Sequence, residues 1–137
     1  MDVADLNFTG DNWVQGAWTL GGRKYEKSLA WVNACNEEES VVISLPDAYH
    51  RFTAQVGLNE PSDDRDHEGV TDFDVYADLN MDKRADSDEL VASKGVTFDK
   101  PGAIETNDLQ GARQIILAAH TDSCGGTPLV WGNPKVS

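Results

Sequence analysis

Apolar residues occur along this chain in short runs of strand length, cut by clusters of Gly, Pro, Asn and Asp. Residues 40–45 (SVVISL) read as a buried strand that stops at Pro46-Asp47. Residues 49–57 alternate, with Phe52, Ala54 and Val56 on one face and Arg51, Thr53 and Gln55 on the other. Residues 70–77 alternate again, setting Phe73, Val75 and Ala77 against Asp72, Asp74 and Tyr76. Residues 113–119 form an apolar run of the kind buried on both faces. Weaker strand patterns cover residues 13–20, 23–32, 96–98 and 129–136. No segment sustains a 3.6-residue period over three turns. The best helical fragment, residues 89–94, is too short to stand alone. Many short strands joined by acidic loops predict an all-β sandwich or jelly roll.

Composition sharpens this picture. A chain of 137 residues with 39% hydrophobic content is one domain with a core of its own. Its longest apolar run is residues 115–119, far short of a membrane span. Twenty-four acidic against eleven basic residues leave a formal charge of −13, with Arg and Lys scattered singly. That field repels phosphate backbones and anionic lipid, which excludes nucleic acid and membrane surfaces as partners. It also disfavours strongly anionic polysaccharides unless a cation or a local basic patch reverses the sign.

Cys35 and Cys124 are the two cysteines, and both stand in polar, loop-like stretches. They form no zinc-spaced cluster. In an exported protein a bridge between them would stabilise by roughly 4 kcal/mol in the chain-entropy model; in the cytosol they are two free thiols. The first residues lack the basic start and apolar stretch of a signal peptide. Both ends read as boundaries within a longer exported chain, with residues 1–137 as a single module.

The order of segments resembles the NPCBM family of carbohydrate-binding modules, which overlaps carbohydrate-binding module family 51. Residues 22–29 (GRKYEKSL) are similar to its G-x-x-Y-x-K-G-[IL] lead-in, and residues 49–58 (YHRFTAQVGL) to its Y-x-R-F-x-A-x-V-G-[LV] strand. Residues 70–78 (VTDFDVYAD), 108–117 (DLQGARQIIL) and 131–136 (WGNPKV) resemble three further family segments in the same order. The resemblance implies a galactose-binding-domain-like jelly roll without catalysis. It also implies that the module tethers a glycoside hydrolase to a glycan, galactose-containing in the characterised members, some of which carry structural calcium. Two stretches depart from the pattern. Ser28 replaces a Gly, with Trp31-Val32-Asn33-Ala34 where a His-Ala pair is expected; Thr127-Pro128-Leu129-Val130 replaces an Asp-His-Ala-Asp.

Sugars stack their C–H faces on aromatic rings, while their hydroxyls seek planar polar partners. Of four tryptophans, Trp31 lies in a divergent segment and Trp131 ends a loop, so these two are the stacking candidates. The competing reading packs them in the core. His120 ends the strongest strand and enters a Gly-rich loop, where binding residues concentrate. Asn133 and Arg51 complete the polar set.

A second constellation is acidic. Asp78, Asn80, Asp82, Asp86 and Glu89 follow the D-x-N-x-D-x-x-x-D-x-x-E spacing of a calcium loop. Lys83 stands where such loops carry a sharp-turn Gly, and the flanks read as strand, so this is no EF-hand. The alternatives are a calcium-clasped β-hairpin and a solvated acidic turn. Residues 63–68 form another acidic cluster. No G-x-S-x-G, H-E-x-x-H, P-loop or dinucleotide fingerprint occurs, which argues against an enzyme. The rival functions are a protein–protein interaction or structural module without a sugar site, and a calcium-dependent adhesion module.

Overall fold

Alternation along the strands becomes two facing sheets. The structure, a computed structural model, describes residues 1–32, 37–59, 70–97, 100–121 and 127–137. Among these, ten strands follow in chain order: β1 (Phe8–Thr9), β2 (Trp13–Leu20), β3 (Arg23–Trp31), β4 (Glu37–Ser44), β5 (Phe52–Leu58), β6 (Thr71–Ala77), β7 (Leu90–Val96), β8 (Gly102–Thr106), β9 (Gln114–Thr121) and β10 (Leu129–Val136). They form two five-stranded sheets, ordered β1-β4-β9-β6-β7 and β2-β3-β10-β5-β8. Every pairing is antiparallel. The result is the jelly-roll β-sandwich expected from the pattern.

The core lies between the central strands. Ile115 and Leu117 of β9 and Phe73 and Val75 of β6 face Phe52 and Val56 of β5 and Leu129 and Trp131 of β10, all fully buried. Trp131 meets Phe52 and Phe73 edge-on, at centroid distances of 5.9 and 5.3 Å, and so joins the two sheets. Trp13 and Trp31, paired across β2 and β3, stack at 6.5 Å. The run in β9 is buried on both faces, as expected, because Tyr76 and Val42 cover Ile116 and Ala118 on the outer side.

Of the fragment with helical pattern, Glu89 ends a 3-10 turn and residues 90–94 are strand, where β7 pairs with β6 along the edge of the β9 sheet. Of the strand expected at 96–98, Val96 ends β7, Thr97 forms an isolated bridge with Lys100, and residue 98 lies outside the described residues. Partnership across the sheet outweighs weak local helix preference. β1 and β8 carry too few apolar residues to signal themselves; β8 buries only Ile104 and Thr106.

Candidate functional site

A Gly-Gly turn fixes one wall of an open groove. Gly21 and Gly22 have φ of 58° and 79°, the left-handed pair a two-residue hairpin turn requires. That turn pairs Leu20 with Arg23 and Trp18 with Tyr25. Trp18 and Tyr25, both half-buried, pack over Leu20, Ala30 and Val130 on the outer face of the β10 sheet. The guanidinium of Arg23 sits 5.2 Å from the Tyr25 ring centroid, a cation–π contact.

The floor of the groove is Gly132. A Cβ there would stand 3.1 Å from Cγ of Tyr25 and 3.4 Å from Cβ of Gln55, so glycine keeps the space between these side chains open. The ladder between β10 and β5 is then irregular from Gly132 to Lys135. Inside this bulge Asn133 takes φ of 45°. Its Oδ1 accepts the Lys27 N–H at 3.0 Å, and its own N–H donates to Ser28 Oγ at 3.2 Å, while that hydroxyl donates to the Tyr25 carbonyl at 3.0 Å. Bulges re-aim side chains where a regular ladder would not. Thr53, Gln55, Ala103 and Glu105 complete a groove of about 260 Å³. Asn133 also lines an adjoining hollow of about 310 Å³ with Lys24, Glu26 and Lys135. At the far end Arg51 donates to Glu105 Oε2 at 2.8 Å and to Asn107 Oδ1 at 2.7 Å.

The structure divides the residues picked from sequence. Asn133 lines the groove, and Arg51 holds its one carboxylate. Trp31 and Trp131 are a correction: both are fully buried and present no face to a sugar. Their strand positions point inward, into the cluster packed between the two sheets. His120 lies on the other sheet, opposite Glu38 and Asp72 on neighbouring strands. Nearby on that face, burial and then the charges of Asp74 and Glu38 push the Tyr76 hydroxyl up. Cys35, Cys124 and the acidic cluster at 63–68 lie outside the described residues. Sequence reasoning missed Tyr25, Arg23 and Gln55 as site residues. The Gly-Gly turn was the signal that would have set Tyr25 opposite Trp18.

The acidic turn is a second candidate site. Asp78 follows β6 directly, and Glu89 closes a 3-10 turn (Ser87–Glu89) just before β7. Both are buried. Gln114 Nε2 and the Lys83 N–H donate to Asp78 Oδ2 at 2.7 and 2.9 Å, and the Leu79 N–H donates to Glu89 Oε2 at 2.7 Å. Lys83, in place of the usual Gly, still adopts φ of 63°. Carboxylate oxygens of Asp78, Asp82 and Glu89 lie within 4.8 Å of one another, as do those of Asp86, Asp88 and Glu89. A hydrogen bond with Asp82, then partial burial and the charge of Asp82, push the Asp86 carboxyl up to about 6. The Arg84 N–H holds Asp82 low. Asn80 differs from the expectation: its Oδ1 accepts the Asp82 N–H at 3.2 Å and its Nδ2 donates to Asp82 Oδ2 at 3.3 Å, so it shapes the turn. This donor set is all oxygen and suits a hard cation.

Two antiparallel sheets with an open, mixed aromatic and polar groove on one outer face make a jelly-roll β-sandwich. The family model described as the NPCBM/NEW2 domain matches residues 6–137, and the chain belongs to that family. No curated protein matches it. Among solved structures it is similar to the tandem family 51 carbohydrate-binding modules of a family 98 glycoside hydrolase from Streptococcus pneumoniae SP3-BS71. That match has 16% identity and a TM-score of 0.54, over 98% of this chain and 41% of that one. It is also similar to the family 22 module and family 10 catalytic module of a Clostridium thermocellum xylanase, complexed with xylohexaose. There the identity is 13% and the TM-score 0.52, over 100% of this chain and 27% of that one. The cleaved adhesin domain K1 of Lys-gingipain from Porphyromonas gingivalis W83 matches at 6% identity and a TM-score of 0.53, over 100% and 95%. The chain thus spans less than half of the first two solved chains.

Proposed function

We propose that this chain is a non-catalytic carbohydrate-binding module whose ligand, a neutral glycan, lies in the groove over Gly132. One observation carries the reading. Tyr25, Arg23, Gln55 and Asn133 converge on a space that a Cβ at Gly132 would crowd, 3.1 Å from Tyr25 Cγ. A half-buried aromatic ring supplies a stacking surface, and planar amide and guanidinium groups match adjacent sugar hydroxyls. Family membership supports the same reading. Glycoside hydrolysis needs two positioned carboxylates. Among the described residues the groove lining offers Glu105 alone, and Arg51 neutralises it.

A galactose-containing ligand, an appended glycoside hydrolase and export of the parent protein complete the proposal. Calcium is its cation, at the acidic turn. The test is a glycan-array screen of the folded chain, repeated with Tyr25→Ala and Gly132→Val. Reproducible binding to one structural class, lost in both variants, is the expected result. Silence of the folded chain against neutral, sulfated and uronate glycans overturns the reading in favour of a protein-interaction module.

A further inference from the structure

Trp18 is the tryptophan that the core does not hold. Trp13, Trp31 and Trp131 lie in the cluster between the sheets, with their indole N–H groups buried. Trp18 is half-buried on the outer face of the β10 sheet, where its six-membered ring lies over Gly16. A Cβ at Gly16 would stand 3.1 Å from Cη2 and 3.3 Å from Cζ3 of that ring, so glycine lets it settle onto the sheet. The cross-strand partner of Trp18 is Tyr25, seated against Gly132 in the same way. Residues directly opposite in a ladder hold their Cβ atoms about 5 Å apart, which sets the two rings side by side.

The row continues past the rings. Gly132 lies opposite Gln55 on β5, and Gln55 opposite Ala103 on β8. Trp18, Tyr25, Gly132, Gln55 and Ala103 thus follow one another across the whole sheet, from edge strand β2 to edge strand β8. Four strand spacings of about 4.8 Å make a line of about 19 Å, longer than one sugar ring. None of these five residues is charged, in a chain of formal charge −13. Two stacking faces at one end and an amide at the centre match the C–H faces and hydroxyls of successive pyranose rings. We propose that Trp18 is a second stacking surface beside Tyr25, and that the site takes the interior of an extended neutral polysaccharide chain, several units at once, instead of one terminal sugar. This inference rests on the glycan reading of the groove and names its ligand class. Trp18 also covers Leu20, Ala30 and Val130, a task that a leucine would perform without offering a stacking face.

The experiment is calorimetry of the folded chain with β-1,4-linked galacto-, gluco- and xylo-oligosaccharides, each series running from monosaccharide to hexasaccharide. In the series that binds, the hexasaccharide should bind at least about tenfold more tightly than the monosaccharide. Trp18→Leu should keep the thermal melt and the monosaccharide affinity, and should lose most of the gain with length, about tenfold for one stacking ring. A Trp18 that only covers the sheet would leave the length dependence as it is in the wild type. If Trp18→Leu does not fold, Trp18→Phe and the wild-type length series decide. Binding that is equal for monosaccharide and hexasaccharide, or a wild-type length dependence in Trp18→Leu, overturns this inference and leaves the glycan reading standing. Silence of the folded chain to all three series overturns it too, and the array screen then judges the glycan reading separately.

Discussion

Single residues separate binding from stability in this module. Tyr25 is half-buried and faces the groove, so Tyr25→Ala should weaken glycan affinity about tenfold, equivalent to about 1.4 kcal/mol, with a modest loss of stability. Trp131→Ala should do the reverse. It opens a cavity against Phe52 and Phe73 and should cost about 3–5 kcal/mol, read by denaturant unfolding, with no specific effect on any folded fraction's affinity. Gly132→Ala brings a methyl to 3.1 Å from Tyr25, so the ring must shift by a few tenths of an ångström. Calorimetry should show weaker binding in this variant, and complete loss in Gly132→Val. The sequence could not distinguish these roles among its tryptophans. Trp18, Trp31 and Trp131 all sit near polar segments, and burial is decided by strand phase relative to the partner sheet. Tyr25 was legible in the family lead-in, but its exposure depends on Gly132, more than a hundred residues away.

At the scale of elements, the bulge in β10 and the turn after β2 build the groove together. Asn133 accepts one backbone N–H and donates its own to Ser28, at a positive φ that favours Asn or Gly. Asn133→Ala should therefore cost about 1–3 kcal/mol by strain and lost hydrogen bonding, and Asn133→Gly less. Thermal melts of the two variants check the order. Elements with strong alternation were plain in the sequence: β5 and β6 bury the faces it assigns, and the weaker patterns at β2 and β10 still gave their bounds. β8 and β1 were not, because an edge strand held mainly by backbone bonds needs few apolar residues. The β6–β7 turn was legible as a donor spacing. Its closing strand was not, since β7 exposes more residues than it buries and its local preference runs towards helix.

For the whole molecule, charge and topology set what the module can meet. The chain carries −13 overall, yet Arg23, Lys24, Lys27 and Lys135 gather along the groove and its adjoining hollow. Of these four, Lys27 is paired with Asp5 at 3.0 Å, and a ligand without charge gains little from the rest. Binding of a neutral glycan should then change less than about twofold between low and moderate salt, where a phosphate-binding protein would lose orders of magnitude. The most direct test of the groove is a backbone amide chemical-shift titration of the folded chain with the glycan selected by the array. The account predicts that the largest shifts cluster at Arg23, Tyr25, Thr53, Gln55, Gly132 and Asn133. Shifts confined to the outer face of the β9 sheet, around His120 and Tyr76, would contradict it.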